Sequence, residues 1–252
     1  MEKLPQNQLS DVKKVIAVMS GKGGVGKSTI SALTAVGLNR EGFKVGLLDA
    51  DLTGPSIPKM FGVTGRPEET GQGFYPLKTN YGIEIMSLNL MLQNEDDPVI
   101  WRGPLLGKTV GQFWTDVVWN ELDYLILDLP PGTGDIPLTV MQSIPVDGFI
   151  LVSSPQDMVY MEVKKSLKMA GMLEIPILGL VENMSYLDCP GCGERIEIFG
   201  PGKGKEVAKE LNIPFLEGLP IDVKLPELSD KGEIEEYKNT QFDWIESILE
   251  MD

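Results

Sequence analysis

The sequence contains no histidine, only two cysteines, and no apolar run long enough to span a bilayer in its 252 residues. Each absence removes a class of function. Without histidine there is no side chain whose ordinary pKa lies near neutrality to act as a base, and no imidazole to ligate zinc. Any base must be a carboxylate or a lysine, and any metal must sit among thiolates or oxygens. Two cysteines cannot build a disulfide framework. The longest apolar runs, such as Val15 to Met19, fall far below the length of a membrane span. The polar stretch Met1 to Lys14 lacks the apolar centre of a signal peptide, so the expected location is the cytoplasm. Basic residues are scarce too: 22 Lys and Arg stand against 37 Asp and Glu, a net charge of −15. Such a surface repels phosphate backbones, which argues against a nucleic-acid partner.

What is present is the pattern of a layered α/β domain. Apolar runs at about 15–20, 45–49, 83–88, 124–129, 148–153, 177–183 and 214–219 read as strands. Segments 28–40, 103–120, 136–143, 158–172 and 243–249 have helical spacing. Near-continuous apolar strands alternating with helices predict a three-layer fold, a mainly parallel twisted sheet covered by helices on both faces. Residues 1–14 read as a partly disordered polar lead-in, and 62–80, rich in Gly, Pro and Thr, as surface loop with a possible hairpin. The remainder, 15–252, is expected to form a single domain with an insertion at about 184–200 that carries both cysteines. The segment 241–250 is amphipathic, but its polar face is acidic. Anionic lipids attract basic faces instead, so a packed helix is expected and no membrane partner.

One stretch organises the chain: Ser20-Gly21-Lys22-Gly23-Gly24-Val25-Gly26-Lys27-Ser28-Thr29. It lies between an apolar strand and a helical pattern, the context in which G-x-x-x-x-G-K-[ST] is a phosphate-binding loop. Glycines allow successive backbone N–H groups to face one anion at a helix N-terminus, whose partial positive charge favours it. Residues 21–29 are therefore the expected cradle of ATP. Lys27 is placed to reach the β- and γ-phosphates, and the Ser28 hydroxyl to ligate Mg²⁺.

In a parallel sheet, ligands bind outside the C-terminal strand ends. Asp49 and Asp51, Asp128 and Asn183 fall at those ends. Asp128 is expected to hold Mg²⁺ directly or through water, the competing role being a cap on the turn Gly132-Thr133-Gly134. Asp49 is assigned to the metal and Asp51 to the attacking water, unless one of them only caps the next turn. Further along, Cys189-Pro190-Gly191-Cys192-Gly193 presents two thiols on a glycine turn. That is half of a four-thiolate shell. Asp188 or Glu194 completes it, or two chains pool their thiols. The metal is then zinc or a [4Fe–4S] cluster; a redox dithiol is the third possibility.

Lys22 is a second lysine that an ordinary phosphate loop does not need. With it, residues 21–29 resemble the deviant Walker A motif of the nitrogenase iron protein, MinD and ParA superfamily. There the early lysine crosses a dimer interface to the partner's nucleotide, so Lys22 implies an ATP-closed homodimer. Residues 47–56, 128–135, 183–185 and 189–193 extend the likeness. Together they resemble the Mrp/ApbC-type iron–sulfur cluster carrier ATPases, over roughly 12–250. The resemblance implies slow ATP hydrolysis, with Lys22, Lys27 and Asp51 as its catalytic residues. It implies adenine contacts from Asn183 and from the backbone around Pro220 to Asp222. It also implies a labile [4Fe–4S] cluster bridged by Cys189 and Cys192 of two subunits and passed to apo iron–sulfur proteins, with Zn²⁺ as an aerobic substitute. Two departures matter: there is no N-terminal cysteine group for a second cluster, and no small extra N-terminal domain. A positioning ATPase that binds membrane or DNA, and an electron-donating ATPase, are the alternative classes. The second expects single cluster cysteines near the switch segments, and this sequence has none there.

Overall fold

The computed structural model describes residues 3–51, 56–91, 103–155, 159–238 and 242–250. The expected loop 52–55, Met158 at the start of a helix, and Gln241 lie outside these. In chain order the elements are β1 (Asp11–Ser20), α1 (Lys27–Arg40), β2 (Val45–Asp49), α2 (Ile57–Met60), β3 (Glu68–Thr70), β4 (Gly73–Tyr75), β5 (Leu77–Lys78) and β6 (Glu84–Ser87). Then follow α3 (Gly103–Asp116), β7 (Glu121–Asp128), α4 (Asp135–Ser143), β8 (Gly148–Ser153), α5 (Val159–Met172) and β9 (Ile177–Asp188). The chain continues through β10 (Arg195–Ile196), α6 (Gly204–Glu210), β11 (Phe215–Pro220), α7 (Lys224–Lys231) and α8 (Asp243–Leu249).

The main sheet runs β10-β9-β8-β1-β7-β2-β6-β5, with β11 also paired to β9. All its pairings are parallel except β5 with β6 and β10 with β9. Alternate residues of the central strands feed opposite cores. Val15, Ala17 and Met19 of β1, with Leu125 and Leu127 of β7, pack in one apolar layer beneath α3, α4 and α5. Ile16, Val18 and Ile126 point the other way, against Ile30 and Leu33 of α1 and the C-terminal helix. This two-sided burial explains why the strands read as unbroken apolar runs.

Several boundaries move. β1 begins at Asp11, before the apolar run, because Asp11 and Val12 pair with Glu121 and Leu122 at the start of β7. The lead-in before it is tied down. Lys3 donates to the carbonyls of Met141 and Ile144 at the end of α4, Leu4 N–H donates to Ser143 O, and the Trp114 indole donates to Leu4 O at 2.9 Å. The helix expected over 103–120 ends at Asp116, and Val117 bridges to Phe74. Within 62–80 lies the antiparallel hairpin β3–β4. The terminal segment is a packed helix: Trp244, fully buried, stacks on Phe242 at 4.2 Å and donates to Thr34 Oγ1 of α1 at 3.0 Å. No helix among the described residues is long and apolar enough to cross a membrane.

Removing this anchor is costly. Trp244→Ala is expected to lower unfolding free energy by about 3–5 kcal/mol. Urea denaturation checks this, with nucleotide affinity of the folded fraction unchanged.

Candidate functional site

The parallel register sets polar residues side by side at the C-terminal edge of an apolar sheet. Asp49 of β2 is the register partner of Asp128 on β7 and of Ser87 on β6. β1 delivers Ser20 to the same edge, and the chain turns there into α1. Gly24 and Gly26 take the left-handed backbone, φ 81° and 83°, which only glycine adopts cheaply. Gly26 has a second reason to be glycine, since a side-chain carbon there would overlap the amide of Asn183. The turn after β7 is stitched to the loop's root by Gly132 N–H donating to Ser20 O at 2.8 Å.

Asp128 is the hub. It is fully buried and accepts three charged or polar donors: Lys27 Nζ at 2.7 Å, Ser28 Oγ at 2.6 Å and Ser31 Oγ at 2.6 Å. Lys27 also lies 3.9 Å from Asp51 Oδ2. Asp128 and Asp51 thus face one buried ammonium, and Asp49 is near enough to feel its charge. Asp49 shows the consequence: burial first, then the charge of Asp128, push its carboxyl up to about 8, and Lys27 only partly opposes them. Asp49, the last residue of β2, caps the turn that follows, accepting Asp51 N–H at 3.2 Å, Ile57 N–H at 3.4 Å and Ser87 Oγ at 3.3 Å.

Asn183 reaches the loop from the other side, its Nδ2 donating to Val25 O at 2.9 Å. Lys22 lies 3.7 Å from Glu162 on α5. Pro220 pairs with Tyr186 of β9, and Asp222 accepts Lys224 N–H and the Tyr237 hydroxyl. The cysteines lie farther out, at the tip of the β9–β10 hairpin. There Cys189 N–H donates to Glu194 O at 2.9 Å and Gly193 N–H to Cys189 O at 2.8 Å. The backbone N–H groups of Gly191 and Cys192, with the Cys192 thiol, hold the Cys189 pKa below its ordinary value, as suits a metal-binding thiolate.

Residues 20–29, Asp49, Asp51, Asp128 and Asn183 therefore gather at one edge, and Cys189 and Cys192 do not join them. Three contributors escaped sequence reasoning. Ser31 is a buried polar residue one helical turn after Ser28, and Ser87 ends its strand as Asp49 and Asp128 end theirs; both positions were readable signals. Glu162 carries no local signal, because α5 is brought to the loop only by the fold.

A family model for the NUBPL iron-transfer P-loop NTPase, within the ParA group, matches residues 11–251. The chain belongs to that family. A relative from Methanocaldococcus jannaschii named "Iron-sulfur cluster carrier protein" is 51% identical over 90% of this chain and 79% of its own. The Dictyostelium discoideum "Iron-sulfur cluster transfer protein NUBPL" is 46% identical over 89% of this chain and 70% of its own. Among solved structures, a nucleotide-binding protein from Archaeoglobus fulgidus in complex with ADP matches with a TM-score of 0.83 and 46% identity, covering 93% of this chain and 91% of that one. The cell division ATPase MinD of Pyrococcus furiosus, at 19% identity and a TM-score of 0.67, shares the fold. The glycine loop is thus that of a P-loop NTPase.

Two outcomes follow from the hub. Lys27→Ala is expected to weaken ADP and ATP binding at least roughly 100-fold, about 3 kcal/mol, as calorimetric titration would show. In metal- and nucleotide-free protein, folded Asp49 keeps its proton up to about 8, whereas an unfolded aspartate releases it near 3.8. Between those values the folded state binds more protons, so stability falls as pH rises through that window. Melting curves across it test this, and Asp49→Asn is expected to flatten the slope.

Proposed function

We propose that this chain is an ATP-binding, slowly hydrolysing homodimeric carrier that holds a labile [4Fe–4S] cluster and delivers it to apo iron–sulfur proteins in the cytoplasm. The observation that carries this reading is a pair of half-built sites at the same end of one sheet. The loop after β1 carries a lysine beyond the phosphate-loop requirement, and the hairpin after β9 carries two thiols where four are needed. Both project from the C-terminal strand edge. A second copy approaching that edge would complete both at once. The printed names of the relatives supply the cargo. Among the described residues no group of three or more His, Cys, Asp or Glu is arranged to hold a metal, so the thiol pair needs outside ligands.

The donor set fits Mg²⁺–ATP. A hard cation takes few protein oxygens beside phosphates and water in such sites, and the surplus of buried carboxylate around Lys27 is the charge deficit that a cation would fill. Ser28 Oγ and Asp128 would hold it, with Asp49 beside them; it would neutralise charge on the β- and γ-phosphates. Lys27 would leave Asp128 for the phosphates, and Lys22 would leave Glu162 for the nucleotide of the partner. Asp51, the less buried of its pair, would orient the attacking water. Asn183, Pro220 and Asp222 would border the adenine. Zn²⁺ would occupy the thiols in aerobic preparations.

Cys189→Ala is expected to keep nucleotide affinity within about twofold while losing iron and sulfide on anaerobic reconstitution. Iron retained at wild-type stoichiometry would sink the assignment. Lys22→Ala is expected to bind ATP as a monomer in sedimentation, against a dimer for the parent protein.

A further inference from the structure

The path from the phosphate loop to the cysteines runs along a single strand, and that strand is broken at one point. Through Glu182, β9 lies in the main sheet between β8 and β11, pairing with Ser153 and Gly218. The next pairing to β11 is Tyr186 with Pro220. Four residues of advance on β9 thus oppose two on β11, a bulge over Asn183, Met184 and Ser185. At its centre Met184 has φ 59°, a left-handed conformation that is unfavourable for a residue with a side chain. Such strain persists only where the surroundings hold it.

The surroundings are the loop and one buried carboxylate. Asn183 Oδ1 accepts the N–H of Met184 at 3.0 Å, while its Nδ2 donates to Val25 O inside the phosphate loop at 2.9 Å. One side chain thus ties the strained peptide to the nucleotide cradle. Glu182, 3% exposed, clamps both roots of the arm beyond the bulge: Oε2 accepts Ser185 Oγ at 2.8 Å, and Oε1 accepts Gly204 N–H at 2.6 Å. Glu182 thus holds the two ends of the segment 186–203 close together. The arm is internally braced, with the Arg195 guanidinium 3.5 Å over the Tyr186 ring and Asp188 paired to Arg195 in the hairpin. It is also tied to the body by Ile221 N–H donating to Tyr186 O at 2.6 Å. That bond joins it to the segment entering α7.

We propose that Asn183 and Met184 are positioning residues that set the cysteine arm according to the state of the phosphate loop, the left-handed Met184 peptide acting as the pivot. When phosphates draw the loop's N–H groups inward, Val25 O moves with its peptide. Asn183 then follows or releases, and the Met184 N–H loses or keeps its acceptor. A change at that peptide loads the Ser185–Glu182 and Ile221–Tyr186 bonds just beyond it, and the braced arm carrying Cys189 and Cys192 shifts with them. The role of the thiols as cargo ligands comes from the carrier reading; the joint itself does not depend on iron.

The test is alkylation of iron-free protein by iodoacetamide, at concentrations where it stays monomeric, with and without saturating MgADP. The wild-type rate at Cys189 is expected to change about threefold or more on ADP binding. Met184→Gly relaxes the pivot and is expected to bind ADP within about twofold of wild type yet lose the response. Met184→Asn tolerates the left-handed backbone and is expected to keep it. Loss in Gly with retention in Asn is a pattern that a merely structural role would not produce. A wild-type rate indifferent to ADP, or equal responses in the two variants, overturns the proposal. Cluster content, measured separately, distinguishes its failure from failure of the carrier reading.

Discussion

The structure depends on a carboxylate placed where a carboxylate is expensive. Asp128 ends a strand buried on both faces and is itself wholly buried; alone it would cost several kcal/mol of desolvation. Lys27, Ser28 and Ser31 remove that cost with three short hydrogen bonds. All three donors come from the first turns of α1, so the same bonds fix the start of that helix against β7. They also fix the shape of the loop that precedes it. The ammonium of the glycine loop thus rests on the acid that ends β7.

Charge at this edge is deliberately unbalanced. Asp49, Asp51 and Asp128 meet a single ammonium, and the imbalance appears as a proton held on Asp49 well above the ordinary carboxylate range. A surplus of buried negative charge favours a cation, which is the part the proposed Mg²⁺–ATP would supply. Preorganisation of this kind places part of the binding energy in relief of local repulsion. Asp49 also accepts Ile57 N–H at the start of α2, so a change of charge at Asp49 reaches the segment that follows it.

The acidic surface and the lack of histidine have a shared consequence. With a net charge of −15 and thiolates as the soft ligands available, the cysteine pair has the chemistry that the proposed soft or borderline metal cargo requires. The turn that holds it is closed by its own backbone: Cys189 and Glu194 face each other across it. Two thiols on a short exposed turn make a weak, open site by themselves, which suits a cargo that must be given away.

Local patterns in the sequence were sufficient for the seven apolar strands, the phosphate loop and the placing of acids at strand ends, but not for the short strands β5 and β10 or for α2, α6 and α7. The strands are buried on both faces, so hydrophobicity alone marks them, and a parallel sheet places its loops and strand ends along one edge. The glycines of the loop and the C-x-x-C turn are short-range devices whose chemistry is complete within ten residues. Other features required the folded chain. β1 starts at Asp11 because β7 offers it a partner, and the polar lead-in is ordered because α3 and α4 present carbonyls and an indole to it. The pairing of Lys22 with Glu162, the help of Ser87 to Asp49 and the clamp of Glu182 on Gly204 join residues from 22 to 140 positions apart. No periodicity encodes such contacts; they exist because the register of β2, β6, β7 and β9 sets the height of each side chain above the sheet. The left-handed Met184 is the extreme case, a methionine in a conformation its own preferences oppose, held there only by the Asn183 side chain and the mismatch between β9 and β11.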